Sequence, residues 1–477
     1  MIEFVTLGGA LDPEGKRPPI GGQHLLFGDR AKDTCIAIDS GVWPPDPDAQ
    51  RKYSESVLTL NEQDFAGISL GASELPFIGD LSLSGLSAGD ERFYSKYLPD
   101  FSRLGEYSQK ICIITHAHTD HGGAVAFLAR KYPDVKIIMT RPTLELLHWS
   151  LHDSLTLTRK YKRPQFYNRW DIQKLEQRVT VAQPGEIFSA GSFSFRLLNA
   201  GHILGAVGVE FLSPRRVFVS GDFCLHDQET VQGANIPAGP FDAAILEATY
   251  AGRFSPSREE EIDRLAARVI AVARDRAKCL ITTLSIGRAP EAFLGLIKRG
   301  VADHCPIYID GAARKTIRIY ERYGAVAPSI EKHFVKDPDQ RERLMRDSGP
   351  MVVISPSGML SGGHASSYAA AFAEDPRNMI ALTSYQSPHS PGAMLLRINR
   401  GHRVRFGDSG PTVRFNADVE AFTLSAHGDA AALEQTIGML KPDATYLMHG
   451  DETGMNAAIK RSRRPVQKTF IGKFYQL

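Results

Sequence analysis

The sequence predicts an α/β protein in which strand-rich outer parts enclose an inserted region built as a parallel sheet flanked by helices. Three observations carry that expectation. The first half of the chain is a series of short apolar runs separated by Gly and Asp; from about Ser257 helical and strand-like patterns alternate; the tail then reverts to strand, loop and helix. The length of 477 residues fits two or three domains, or one domain carrying a large insertion.

Each element follows from its local pattern. EFVTLGG, GGQHLLFG and DTCIAIDSG read as buried strands joined by tight turns. Residues of about 43–95 break that rhythm with WPPDPD and a Ser/Gly/Leu mixture, and read as a long excursion or lid. KICIIT is an apolar strand entering a polar loop, GAVAFLARKY has helical spacing and stops at Pro133-Asp134, and VKIIMT is the next strand. FSFRLLNAG, VGVEFL, RRVFVSGD and DAAILEATY continue the β-like series. SREEEIDRLAARVIAVARDR opens on Ser257 and acidic residues, the signature of a capped helix. KCLITTLSIG, CPIYIDG and PMVVISPSGML are strands, with APEAFLGLIKRG a helix between the first two; this alternation implies a parallel sheet covered on both faces. Last come VEAFTLSAHGD (strand and loop), AAALEQTIGMLK (helix) and ATYLMHGDE (strand and loop).

Composition narrows the function classes. With 56 Lys+Arg against 54 Asp+Glu, the net charge of +2 gives no global attraction for nucleic acid, so any such contact needs a local basic surface. Cys35, Cys112, Cys224, Cys279 and Cys305 are scattered, without CxxC pairing, and read as small buried thiols, not as a disulfide framework or a thiolate zinc knuckle. MIEFVTLGGALDPEGK lacks the basic start and apolar stretch of a signal peptide, and no run approaches the roughly 18 apolar residues of a membrane span. The expectation is a soluble, cytoplasmic protein with no membrane partner.

The strongest chemical signal is His116-Ala-His118-Thr-Asp120-His121, directly after KICIIT. Zinc takes neutral imidazole nitrogen and carboxylate oxygen, and four such donors on one loop can divide between two metals. One short loop cannot close two sites. His202 in NAGHILGA, Asp222 in VSGDF and His449 in LMHGDE also follow apolar runs and sit beside Gly, at strand ends that can converge on one sheet edge.

These motifs, with the acidic residue of LEATY, the SAH tripeptide and HGDE in this order, resemble the β-CASP branch of the metallo-β-lactamase superfamily. That branch includes the cleavage-and-polyadenylation endonuclease and ribonuclease J. The resemblance implies a metallo-β-lactamase αββα sandwich with an inserted β-CASP domain: residues 1–252 and 401–477 as the metallo-β-lactamase domain, and 253–400 as the β-CASP domain. It implies two zinc ions, with manganese an alternative. His116, His118 and His202 would hold one, Asp120, His121 and His449 the other, and Asp222 would bridge them. Glu247 would orient a neighbouring histidine, the alternative being a buried structural acid, and His427 would contact the scissile phosphate or protonate the leaving oxygen. The implied activity is that of a ribonuclease (endonuclease, 5′-exonuclease or both) that attacks RNA phosphodiesters with a hydroxide shared by two metals. Asp120, Glu247 and His427 are its catalytic candidates. A DNA nuclease of the same superfamily and an inactive RNA-binding scaffold are the alternatives. Absence of ribonuclease J's extra C-terminal domain is expected, and a homodimer is one assembly this reading allows.

For single-stranded RNA as partner, the resemblance offers Arg288 in SIGRAP and the backbone of Ser357-Gly358-Met359, with the inserted domain capping the metal edge and leaving a groove. Arg159 to Trp170 interleaves basic and aromatic residues, as a stacking surface or as a solvated helix flank. Gly85-Leu-Ser87-Ala-Gly89 matches a nucleophile-elbow pattern but lacks the preceding strand, so chance explains it. His148 and His152 share a helix face without the zincin glutamate and read as packing beside the cleft. His389 interrupts what in the family is a tighter Gly-containing turn. The Lys460, Arg461, Arg463, Arg464 cluster reads as a solubilising helix end.

Overall fold

The computed structural model describes residues 2–11, 22–42, 68–70, 97–160, 165–388, 390–406 and 411–477. Apart from the strand Ile68–Leu70, the 43–95 excursion lies outside the described residues, and so do its Gly85–Gly89 pattern, residues 161–164 and His389. Two units divide the chain. Met1–Pro45, Phe77–Phe254 and Ala426–Leu477 form the first; Asp46–Pro76 and Ser255–Ser425 form the second.

The first unit contains two seven-stranded sheets. One runs in the order Phe474–Gln476, Ile2–Gly8, His24–Asp29, Thr34–Ile38, Gln109–Ile113, Lys136–Thr140, Val179–Ala182. It is antiparallel through Thr34–Ile38 and parallel beyond, with Ile38 in register with Ile113. The other runs Val466–Lys468, Pro442–Met448, Phe241–Glu247, Val217–Val219, Val207–Ser213, Phe193–Asn199, Ile187–Ala190. Its first four strands are parallel and its remaining pairings antiparallel. Strand chemistry follows this division. Thr34–Ile38, deep in its sheet, is buried at every position, whereas Phe193–Asn199 alternates buried and half-buried residues.

Between the sheets, Phe4, Phe27, Ile36 and Ile138 of one meet Phe195, Val209, Val219 and Ile245 of the other in a shared core. The outer face of the second sheet packs Phe241, Leu246 and Leu447 against Leu433, Ile437 and Met455. Those three come from the helices Ala430–Leu440 and Glu452–Arg461. On the first sheet, helix Arg141–Lys160 packs against Lys136–Thr140, and Val125–Lys131 against Arg169–Glu176. The result is the four-layer αββα order.

The second unit carries an all-parallel six-stranded sheet, ordered His333–Phe334, Ile307–Ile309, Met351–Ser355, Lys278–Thr282, Met379–Leu382, Asp418–Ala421. Its interior strands Met351–Ser355 and Met379–Leu382 are buried at every position, as in sheets packed on two faces. Helix Arg258–Arg274 starts at Ser257, whose side chain accepts the Glu260 N–H. A small three-stranded sheet pairs Thr412–Phe415, His402–Phe406 and Ile68–Leu70. All five cysteines are buried and free. Among the described residues, no helix is long and apolar enough to cross a membrane.

Candidate metal centre

The candidate ligands leave from the C-terminal ends of strands in both sheets of the first unit. Gln109–Ile113 runs on to His116, Val217–Val219 to Asp222, Phe241–Glu247 ends on Glu247, and Pro442–Met448 delivers His449. The edge of an open sheet at its strand carboxyl ends is where α/β folds place ligands. Local features fix each loop. Gly201, just before His202, has φ +68°, and a Cβ there would stand 2.4 Å from the Cys224 carbonyl oxygen. Gly221, before Asp222, has φ +57°, and its Cβ would lie 3.0 Å from the Val207 carbonyl oxygen. Asp429 and Asp451, two residues beyond His427 and His449, cap the helices that follow by accepting the N–H groups of Ala432 and Gly454.

Three nitrogens converge. His118 Nδ1 lies 3.1 Å from both His116 Nε2 and His202 Nε2. The far nitrogens of two of these rings are tied: His116 Nδ1 is 3.1 Å from Thr115 Oγ1, and His202 Nδ1 donates to the Ala426 carbonyl at 2.8 Å. Such bonds fix ring orientation and leave the opposite nitrogen as the lone-pair donor. Beside them, His121 Nε2 is 3.9 Å and His449 Nε2 3.4 Å from Asp120 Oδ2. Asp222 stands between the two groups, 3.6 Å from His116, 3.7 Å from His202, 3.3 Å from His121 and 3.0 Å from His449. One donor atom from each of His116, His118, His202 and Asp222 falls within 4.8 Å of the others, and so does one from each of Asp120, His121 and His449.

The electrostatics divide the same way. Burial pushes His116 and His202 well below the usual imidazole range and His118 down to about 4, leaving all three neutral at pH 7. Burial opposes charge on His121 and His449 as well, but Asp222 with Asp120 and, for His121, Asp39 outweighs it: His121 is raised well above its ordinary value and His449 to about 10. Asp222 would be raised by burial, yet His121, His449 and His427 hold it well below the carboxylate range. Protons on His121 and His449 thus answer the buried carboxylates, and a bound cation is the alternative counter-charge.

The residues fit a metal on an independent observation. His121 Nε2, His449 Nε2 and Asp222 Oδ1 are buried polar atoms that meet charged neighbours at 3.0–3.9 Å without a well-aligned hydrogen bond. Buried polar atoms left without a well-formed hydrogen bond are rare unless an ion or water satisfies them. Nitrogen and carboxylate oxygen are the donor set zinc prefers.

Glu247 and His427 also meet, His427 Nδ1 donating to Glu247 Oε1 at 2.9 Å. His427 is raised above its ordinary value, burial opposing and Glu247 and Asp222 outweighing it. In the second unit Arg288 is buried, and its Nη1 donates to the Leu424 carbonyl at 2.8 Å. The Gly358 carbonyl accepts from Thr282 Oγ1 and Gln386 Nε2, which holds the Ser357-Gly358 loop in shape. Of the basic and aromatic stretch, Tyr167 is buried and Trp170 is 72% exposed. His148 and His152 face each other with their Nε2 atoms 3.1 Å apart. Arg461 pairs with Glu434 at 2.8 Å.

One residue of the centre escapes sequence reasoning. Asp39, at the end of the strand Thr34–Ile38, takes φ +65° and accepts from Thr115 N–H, Thr115 Oγ1 and His121 Nδ1 at 2.7–2.9 Å. The signal that marks His202 and Asp222, a polar residue between an apolar run and Gly, is present in IDSG as well. His449 also holds a left-handed backbone, φ +54°, braced by its N–H on the Gly9 carbonyl and its carbonyl on Thr249 Oγ1. Strain of this kind costs about 1–3 kcal/mol per residue and persists where surrounding structure imposes it.

Two family models match the chain. Residues 294–395 match the Beta-Casp domain, and residues 412–467 match a Zn-dependent metallo-hydrolase RNA specificity domain. The chain is 27% identical over 421 residues to the transcription termination factor FttA of Methanothermobacter thermautotrophicus, covering 80% of this chain and 65% of that protein. It is 28% identical over 374 residues to an RNase J-like protein of Methanocaldococcus jannaschii, covering 74% and 85%. Identity to the cleavage and polyadenylation specificity factor 73 of Drosophila melanogaster is 24% over 385 residues, covering 76% and 56%. The fold is similar to a crystal structure of a protein of unknown function from Enterococcus faecalis V583, with a TM-score of 0.58 at 11% identity and 100% of both chains covered.

Proposed function

The chain belongs to the β-CASP family of the metallo-β-lactamase superfamily, and from that premise we propose that it is a metal-dependent ribonuclease acting on single-stranded RNA. The observation that carries the reading is the pair of buried donor clusters meeting at Asp222, with three of their atoms in no well-aligned hydrogen bond.

In this proposal His116, His118 and His202 hold one zinc ion, Asp120, His121 and His449 hold a second, and Asp222 serves both, manganese being the alternative metal. Zinc bound there supplies Lewis-acid polarisation of a phosphoryl oxygen and of the attacking water at neutral pH. The chain's own groups do the rest. Asp39, Thr115 and the Ala426 carbonyl hold the imidazoles in orientation. Glu247 keeps His427 Nδ1 engaged, so that Nε2 is the nitrogen left to contact the scissile phosphate or protonate the departing oxygen. Arg288 and the Ser357-Gly358 loop are the proposed substrate contacts. With Arg288 Nη1 engaged by Leu424, its part is to present charge and to shape the loop around it. The unit that resumes at Ala426 is assigned to the metallo-β-lactamase domain and Ser255–Ser425 to the β-CASP domain, which moves the boundary expected at 400 to 425 because Asp418–Ala421 pairs with Met379–Leu382.

End-labelled single-stranded RNA incubated with purified protein tests the reading, product lengths being read from both ends. Cleavage that stops on chelation and returns with zinc or manganese is the expected result. RNA left intact under every metal condition rejects it.

A further inference from the structure

The ribbon formed by His402–Phe406 and Thr412–Phe415 has two unlike faces. Val404, Phe406 and Phe415 are buried in the core of the second unit. By the period-2 alternation of a strand, Arg403, Arg405 and Arg414 point the other way, and all three are exposed. Arg403 is the cross-strand partner of Arg414, and Arg405 that of Thr412. Directly opposed residues of an antiparallel pair stand only about 4.5–5.5 Å apart at Cα, and like charges placed so are destabilising. Two arginines spaced i, i+2 are roughly 7 Å apart along the strand.

Among the described residues no carboxylate pairs with these three guanidinium groups. Arg405 Nε reaches only Thr412 Oγ1 at 3.3 Å, and the Glu374 carboxylate accepts the Arg414 backbone N–H, not its side chain. Neighbouring arginines differ: Arg400 is paired with Asp418, and Arg268 with Asp418 and Glu420. His402–Phe406 lies between Thr412–Phe415 and Ile68–Leu70, so Arg403 and Arg405 protect no edge, and on the edge strand a charge, usually Lys, is the ordinary guard against unwanted pairing. Three arginines on one face, two of them opposed, exceed that need. The guanidinium fork matches the oxygens of a phosphate in a way an ammonium does not. With a net charge of only +2 for the whole chain, three guanidinium groups on one face with no carboxylate partner among the described residues stand out. The strand with Arg403 and Arg405 lies between the two family matches, which end at 395 and resume at 412.

We propose that this arginine face docks the phosphodiester backbone of a single-stranded RNA. The identity of the polyanion rests on the ribonuclease reading; the existence of a phosphate-binding face rests on the ribbon alone. Each phosphate contact releases condensed counter-ions, so binding through the three arginines carries a defined salt dependence of about 0.7 per contact in the slope of log K against log salt.

The test uses the full chain with Asp120→Ala, so that RNA stays uncut, and a fluorescein-labelled single-stranded RNA followed by anisotropy from low to moderate KCl. Replacing Arg403, Arg405 and Arg414 together by Gln is expected to weaken binding about tenfold or more at 0.1 M salt and to make the slope shallower by about 2. Replacing all three by Lys is expected to keep the slope. The single variant R405Q, which leaves the opposed pair untouched, is expected to show about one third of the slope change and guards against misfolding of the triple variant. Parental affinity and slope in the folded triple Gln variant overturn the proposal. So does a loss of binding to phosphatidylserine vesicles with RNA binding unchanged, which would make the face a membrane contact. Wild-type cleavage is read in parallel. Cleavage with an unchanged slope sinks the ribbon alone, and a changed slope without cleavage sinks the nuclease reading alone.

Discussion

His427 Nδ1 and Glu247 Oε1 stand 2.9 Å apart, and the same carboxylate also accepts the backbone N–H groups of Phe223 at 3.2 Å and Thr249 at 3.1 Å. A carboxylate held by two backbone donors has little freedom, so the imidazole bound to it inherits a fixed orientation. His427→Ala is expected to lower RNA cleavage by about 10²-fold or more, with bound metal unchanged. Glu247→Gln should cost less, and the double variant no more than His427→Ala alone, because both changes act on one unit. Steady-state cleavage rates with metal content measured on the same samples check this; additive losses would separate the two residues.

Asp39 touches no proposed substrate group but positions His121 and the loop carrying His116. Asp39→Asn is expected to weaken metal binding by about 10–100-fold, the usual loss when a partner behind a ligand is removed. Competition against a chromophoric chelator measures that affinity directly. An unchanged affinity would reduce Asp39 to a loop brace.

Metal removal should be visible in stability as well as activity. Any ligand held by the native state alone stabilises it, by about 2.7 kcal/mol at a free concentration one hundred times its Kd. Chelation is therefore expected to lower the thermal midpoint, and zinc to restore it. Equal midpoints in both conditions would contradict a metal bound within the folded core.

In the second unit, Asp310 is fully buried and accepts from Arg341 Nη2 at 3.1 Å, Tyr368 at 3.0 Å and the Gly311 N–H at 2.7 Å. Burial would raise its carboxyl, but the Arg341 guanidinium and the Gly311 N–H hold it below the usual range. A depressed folded pKa means stability that is complete above the unfolded value of about 3.9 and lost as pH falls through the folded one. Asp310→Asn is expected to cost about 3 kcal/mol at pH 7, by stranding Arg341. It should also flatten the acid limb of the stability profile below about pH 4. Urea unfolding across pH reads both.

Much of this was legible in the sequence because the relevant signals are local. The run KICIIT followed by four donors, and the recurrence of His202, Asp222 and His449 between apolar runs and Gly, point to converging strand ends, although these ends belong to two sheets and not to the one expected. The helix expected from Gly123 to Tyr132 appears as Val125–Lys131, with a separate short helix, Thr119–Gly122, holding Asp120 and His121. What was not legible depends on tertiary partners. Asp39 looks like any turn residue until its bonds to Thr115 and His121 are seen. VEAFTLSAHGD reads as one strand and loop, yet Asp418–Ala421 pairs with Met379–Leu382 in the second unit while His427 belongs to the first. Periodicity identifies a strand but not the sheet it joins. The ribbon strands HRVRF and TVRF are short and one-third arginine, so their apolar alternation is weak evidence until Val404, Phe406 and Phe415 are found buried.

The metal content of the purified chain tests the account most directly. Elemental analysis after dialysis against trace zinc should return about two equivalents per chain, falling toward none in the Asp222→Ala variant, because that carboxylate faces both donor groups. A wild-type chain that retains no zinc or manganese, with a thermal midpoint that neither metal moves, would contradict it.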